Sequence, residues 1–155
     1  MPPVPDIVTS VSGPQPDPRE DLGVLLHRLL RRVLAAEEPL LRAHEVEMWD
    51  YAVLTALEEG PAQTQARLAA AIGRDKTRLI PSLDRLAERG LVVRAPDPDD
   101  RRNRIVSLTA AGHDLLDRTR AAIRAMEADL LTAVPEPDRA VFLRALGRLA
   151  PHPPR

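Results

Sequence analysis

Leucine and valine recur at positions 22, 25, 26, 29, 30, 33 and 34, stepping by three and one. That is the apolar stripe of an amphipathic helix and predicts one over residues 19–36, with Arg28, Arg31 and Arg32 off the stripe. Pro39 is expected to interrupt it, and residues 40–43 to add a turn, since proline suits the first position of a new helix. The stripe serves equally a core-facing helix and one that pairs with a second copy. Met48, Tyr51, Ala52, Leu54 and Leu57 mark the inner side of a second helix over 47–59, stopped at Gly60-Pro61. Thr64 has the character of an N-cap for 65–72, where Leu68, Ala69 and Ile72 face inward and the alanines permit close helix approach. Gly73 allows the sharp turn that follows, because it tolerates positive φ.

Asp75 caps the next helix, which runs to Arg89 with Leu79, Leu83 and Leu86 inward and Gly90 as its terminating glycine. Pro81 lacks a backbone donor and crowds the preceding turn, so a kink or a later helix start is expected there. The β-prone runs 91–94 and 104–108 flank a turn of Pro, Asp, Arg and Asn, which is a hairpin signature. Thr109 then caps a long helix to Val134, carrying Leu115, Leu116, Ile123, Met126, Leu130 and Leu131. Its roughly 25 residues would span about 37 Å, more than a compact monomer of this size needs. Pro135 and Pro137 break it, with Pro137 in the first position of a final helix bearing Val141, Phe142, Leu146 and Leu149. The predicted fold is mainly α with a small β-hairpin wing (α+β). Helix, turn, helix and charged hairpin form a winged helix-turn-helix, a device for placing one helix and one loop on DNA. Residues 1–18, with six prolines, are expected to be a disordered arm, and 151–155 a frayed tail.

Composition narrows the chemistry. There is no cysteine, which excludes a disulfide framework, a thiolate zinc site and a cysteine nucleophile. The single Trp, Tyr and Phe leave the core to aliphatic side chains. His27, His44, His113 and His152 have no metal-ligand spacing. No nucleophile–base pairing or glycine-rich phosphate loop is present, and the pairs Glu37-Glu38 and Glu58-Glu59 have the pattern of helix surface. Catalytic residues, metal and cofactor are therefore all expected to be none. No apolar run approaches about 18 residues, and the start lacks signal-peptide character. A cytoplasmic protein, associated with the nucleoid when bound to DNA, is expected.

The net charge of −1 is unevenly spread. Residues 67–104 hold ten Arg or Lys against six Asp or Glu, and the remainder twelve against seventeen. A basic bias confined to the helix-turn-helix and wing is an electrostatic footprint for a polyanion. The helix from Asp75 would present Lys76, Thr77, Arg78, Ser82 and Arg85, where Arg can meet guanine bidentately in the major groove. Thr64 and Arg74 are expected to contact DNA beside that face. On the wing, Arg101, Arg102 and Arg104 suit a narrow, negative minor groove, and Asp100 is placed to orient Arg102. A merely solvated charged helix face and a solubilising loop are the plainer readings of the same residues.

The run Asp97-Pro-Asp-Asp-Arg-Arg-Asn-Arg-Ile-Val-Ser-Leu-Thr-Ala-Ala-Gly112 resembles the wing signature of MarR-family transcriptional regulators, an Asp-x-Arg followed by a strand and Leu-Thr-x-x-Gly. Leu86-Ala-Glu-Arg-Gly-Leu-Val92 is similar to the end of that family's recognition helix, and Gln65-Ala-Arg-Leu-Ala-Ala-Ala-Ile-Gly73 to the first helix of its helix-turn-helix. The resemblance covers about residues 20–150. It implies a homodimer joined by its terminal helices (19–43 and 110–150), with winged lobes (47–109) on successive major grooves of a pseudo-palindromic double-stranded operator. It implies that Arg102 is the minor-groove wing arginine and that 76–85 form the major-groove face. It also implies a cleft for a small aromatic or phenolic effector that relieves repression. His44, Trp49 and Tyr51 lie where the second helix borders that cleft. Trp49 could stack on an aromatic acid and a protonated His44 could donate to it; Trp49 as a packing residue and His44 as an exposed loop residue is the alternative. Two departures stand out: Pro81 replaces a commonly polar or basic residue, and the lack of cysteine excludes thiol-based peroxide sensing. The competing function is a winged-helix protein-interaction module without sequence-specific DNA binding.

Overall fold

The computed structural model describes residues 20–58, 63–100 and 103–150. The expected arm at 1–18, the stop at Gly60-Pro61, the wing residues Arg101 and Arg102, and the tail at 151–155 lie outside the described residues. The elements follow in the order α1 (Leu22–Ala43), α2 (Met48–Glu58), β1 (Gln63–Thr64), α3 (Gln65–Ala71), α4 (Lys76–Glu88), β2 (Val92–Pro96), β3 (Arg104–Leu108), α5 (Ala110–Leu130) and α6 (Glu136–Leu149). A single 3-10 turn, Leu131–Ala133, separates the last two helices, so α5 ends before Val134.

Local chemistry sets most boundaries. Thr64, Asp75 and Thr109 each cap a helix, accepting from the backbone N–H of Arg67 (3.3 Å), Arg78 (2.9 Å) and Gly112 (3.0 Å). Each such cap contributes about 1 kcal/mol. Gly73 and Gly90 sit at φ 66° and 69°. Each closes a Schellman motif: Gly73 and Arg74 donate to the Ala70 and Ala69 carbonyls, Gly90 and Leu91 to those of Ala87 and Leu86. The end of α1 repeats the motif, with Glu45 and Val46 donating to Arg42 and Leu41, but the left-handed residue is Glu45 at φ 55°. A side chain there costs about 1–2 kcal/mol. Glu45→Gly relieves that strain while adding chain entropy to the unfolded state, so a net gain of about 0.5 kcal/mol is expected. A shift in the thermal midpoint at fixed protein concentration checks it.

Two prolines behave differently from expectation. α1 runs unbroken through Pro39, and α4 is regular from Lys76 through Pro81. Both prolines are exposed, as are Ala35 and Thr77, whose carbonyls lose their helical donors. Water can satisfy those carbonyls, so the helix continues at reduced local stability. At the other end Pro137 is the second residue of α6, after Glu136.

One core unites the central elements. Val53, Leu54 and Leu57 of α2, Leu68 of α3, Leu79, Leu83 and Leu86 of α4, Val106 of β3 and Leu116 of α5 are buried together. Burial of each such leucine contributes about 1.5–3 kcal/mol. The sheet has the order β1-β3-β2, all antiparallel, with Val92 opposite Leu108 and Thr64 opposite Ile105. β1 is an addition to the expected hairpin; two residues carry no readable period. The terminal helices differ from this centre. Leu41 is the one buried residue of α1, and α6 has none. Leu22, Leu26, Leu30 and Leu34 of the apolar stripe are exposed, Leu30 by 54%, and so are Val141, Phe142, Leu143 and Leu149. Among the described residues α6 has almost no packing on its own chain.

Candidate nucleic-acid interface

The turn at 72–75 delivers α4 with its first residues outward. Lys76, Thr77 and Arg78 are exposed, while Leu79 one residue on is fully buried. The Asp75 carboxylate caps the helix and lies 3.3 Å from Arg78 Nε. The outward first turn thus offers a cation pair and a hydroxyl at the positive end of a helix dipole.

The wing stands beside it. Its tip is closed by Asp97 N–H donating to the Asn103 carbonyl (3.1 Å) and Asn103 N–H to that of Asp100 (2.8 Å). Asn103 Nδ2 also donates to Asp100 Oδ2 at 3.2 Å. Asp100 therefore shapes the turn through Asn103, a residue the motif reading does not single out; its expected partner Arg102 lies outside the described residues. Arg104 is exposed where β3 begins, opposite Pro96. Arg94 of β2 ties wing to helix, bonding Asp84 of α4 at 2.7 Å and reaching the Ile80 carbonyl at 3.5 Å.

Ser82 and Arg85 correct the expected contact face. Ser82 is buried, at 2% exposure. It belongs to the inward set 79, 82, 83 and 86, the i, i+3, i+4, i+7 face of α4. Arg85 turns back to α2, its Nη2 lying 2.9 Å from Asp50 Oδ1 and 2.7 Å from Glu47 Oε2. Asp50 is itself 2% exposed. Sequence reasoning misses this pair, although Asp50 heads the apolar set 53, 54 and 57, and a carboxylate there demands a partner.

Thr64 is half-buried and serves as cap and strand residue. The Arg74 guanidinium lies over the Trp49 ring, 4.0 Å from its centroid, a cation–π contact of about 0.5–1 kcal/mol at a surface site. Trp49 is thereby joined to the helix-turn-helix. Tyr51, two residues on and so on another side of α2, approaches Arg120 of α5. Arg120 bonds Glu58 at 2.6 Å, and that bond holds the Glu58 carboxyl below its ordinary range. His44 is half-buried at the end of α1. The structure therefore gives Trp49 and Tyr51 different neighbours. The nearby cavity, about 390 Å³, is lined instead by Glu38, Leu41, Arg42, Glu45, Val46, Glu47 and Met48 at the α1–α2 corner. Among the described residues no acidic or histidine cluster could hold a metal ion, and no helix is long and apolar enough to cross a membrane.

The chain is similar to known regulators over this whole arrangement. A sequence profile of the MarR family matches residues 44–103, from the α1–α2 corner to the wing. A Thauera aromatica protein assigned to transcriptional regulation of the hcr operon is 28% identical over 99 residues, which are 64% of this chain and 60% of that protein. The structure of a MarR-family transcriptional regulator from Rhodococcus sp. RHA1 is 30% identical, with 88% of this chain and 96% of that one covered and a TM-score of 0.75. CouR of Rhodococcus jostii RHA1, in complex with p-coumaroyl-CoA, is 31% identical at the same coverage, with a TM-score of 0.71. The repressor CouR bound to a 23-mer DNA duplex gives a TM-score of 0.75 over 84% of this chain and 92% of that one, at 28% identity. With such identity sustained along nearly the full length of solved relatives, and the helix-turn-helix and wing in place, this chain belongs to the MarR family of transcriptional regulators, which are non-enzymatic DNA-binding proteins.

Proposed function

We propose that the protein is a ligand-relieved repressor that binds a pseudo-palindromic operator as a homodimer. The observation that carries this is the capped first turn of α4, with Lys76, Thr77 and Arg78 exposed on a core helix beside a braced wing. Those side chains enter the major groove, and the wing, through Arg102 and Arg104, the minor groove. The homodimer reading is supported by the exposed apolar faces of α1 and α6, since a helix left without a partner in its own chain needs one elsewhere. Two lobes so joined address half-sites about 34 Å apart, one turn of the duplex. The DNA-bound and p-coumaroyl-CoA-bound forms of CouR support the repressor and effector assignments. A small aromatic acid or its thioester, acting near His44, Trp49 and the α1–α2 corner, is the effector class.

A fluorescence-anisotropy titration against the DNA upstream of the protein's own coding sequence, with scrambled competitor and at two salt concentrations, tests the reading. Tight binding that survives competitor supports it. Binding erased equally by competitor and salt rejects it in favour of the protein-interaction module. On the bound duplex, Arg102→Ala is expected to weaken binding and to lower the slope of log affinity against log salt by about 1. Unchanged affinity and slope would remove Arg102 from the interface.

A further inference from the structure

Arg85 and Arg89 lie one turn apart at the C-terminal end of α4, and both reach back to the α1–α2 corner. Arg85 holds the buried Asp50 carboxylate and exposed Glu47 through one nitrogen, at 2.9 and 2.7 Å. Arg89 Nη1 donates to the backbone carbonyl of Glu45, the left-handed residue that ends the α1 motif. A carboxylate as buried as Asp50 is tolerated only with its charge matched. The α4 rotation that satisfies Asp50 is therefore strongly preferred over its neighbours.

We propose that Asp50 is a positioning residue for DNA recognition: through Arg85 it sets the rotation and tilt of α4, so DNA affinity depends on a buried α2 carboxylate that touches no DNA. This rests on the DNA-binding reading above. The lever arm shows why the effect is large. From Arg85 to Lys76 is nine residues of helix, about 13 Å at 1.5 Å per residue. A tilt of about 10° about the Arg85 end then moves Lys76 by about 2 Å, which takes the first turn out of hydrogen-bond alignment with the base edges while its charge stays well within screening distance of the phosphates. In this arrangement Arg85 itself is spent on α2, and the α4 cations left for DNA are those of its first turn.

The test uses the full chain and a duplex selected by the wild-type protein from a randomised pool, with affinity measured at three salt concentrations. Asp50→Asn, Arg85→Gln and the double variant are compared, with Lys76→Ala as the phosphate-contact reference. Each single variant is expected to weaken binding about tenfold, the double variant no more than either, because the two residues act as one unit. Their salt slopes stay at the wild-type value, whereas Lys76→Ala lowers the slope by about 1. Arg85→Lys, which keeps the charge, restores part of the loss. Wild-type affinity in Asp50→Asn overturns the proposal, and so does a slope reduced by about 1 in Arg85→Gln, which marks a direct phosphate contact. Circular dichroism reports folding of each variant. If Asp50→Asn does not fold, Glu47→Gln decides: Glu47 is exposed, so its loss leaves the fold intact, and about a twofold weakening at constant slope is expected against none if Arg85 is not positioned from α2. Failure of the wild type to select any duplex overturns the DNA-binding reading as well, whereas selection followed by an insensitive Asp50→Asn overturns the positioning role alone.

Discussion

Gly112→Ala is expected to destabilise the fold by about 3 kcal/mol, against the sign that helix propensity alone suggests. Gly112 lies in the first turn of α5 and is buried. Alanine in a helix is ordinarily favoured over glycine by about 1 kcal/mol. Here a Cβ would stand 2.1 Å from the Leu91 carbonyl oxygen and 3.3 Å from Leu108 Cδ2. The oxygen cannot retreat freely. It accepts from Thr109 N–H at 3.1 Å, and Leu91 N–H is itself committed to the Leu86 carbonyl at 2.9 Å. Thr109 adds a hydroxyl bond to the Gly90 carbonyl at 2.7 Å. The clash therefore falls on the junction where the end of α4, the base of the wing and the start of α5 meet. Relief requires α5 to lift away, uncovering Leu115 and Leu116. Thermal denaturation at fixed protein concentration should show a midpoint lowered by roughly 10 °C, at about 2–4 °C per kcal/mol for a chain of this length. A raised midpoint would mean that the helix shifts without resistance and that the glycine is there for another reason.

The paired substitution Leu30→Asp with Phe142→Asp is expected to halve the mass in sedimentation and to lower operator affinity at least about a hundredfold. Both residues are exposed in the single chain, Leu30 at 54% and Phe142 at 36%, so neither change removes a buried contact within the subunit. On the proposed homodimer both would enter the interface, where an unpaired carboxylate costs several times what it costs in water. Affinity falls by more than interface strength alone dictates, because two joined lobes bind successive half-sites with an effective concentration that raises avidity by about 10²–10⁴. An unchanged mass would remove this face of α1 and α6 as the subunit contact. A halved mass with unchanged DNA affinity would show that one lobe suffices for binding.

Much of the lobe is legible in the sequence because its signals are local. A capping side chain at Thr64, Asp75 or Thr109 acts on an N–H three residues away, and Gly73 and Gly90 act on the turn they occupy. The hairpin strands repeat every two residues and the helices at steps of three and four, so a short window suffices. The corrections share a different origin. Pro39 and Pro81 are breakers by local rule, yet the helices continue because the carbonyls they free face water, a fact set by the orientation of the whole helix. Ser82 looks polar and hence exposed, but its place beside Leu79, Leu83 and Leu86 puts it inside. Arg85 looks like a DNA contact by residue type, and its partner Asp50 stands 35 positions earlier in the chain.

What the sequence by itself determined is therefore the order of the helices, the ends that Thr64, Asp75, Thr109, Gly73 and Gly90 set, the charged hairpin, the basic bias of residues 67–104, and, through the wing signature, the family. Backbone hydrogen bonding and side-chain periodicity are settled within a few residues, so they can be read along the chain. The tertiary structure alone decided which α4 cations face solvent and which turns back to α2, why position 112 must be glycine, and which apolar stripes stay open. Those outcomes depend on groups brought together from distant parts of the chain. A buried carboxylate takes the cation that packing places beside it, and a helix face stays exposed when no element of its own chain packs against it.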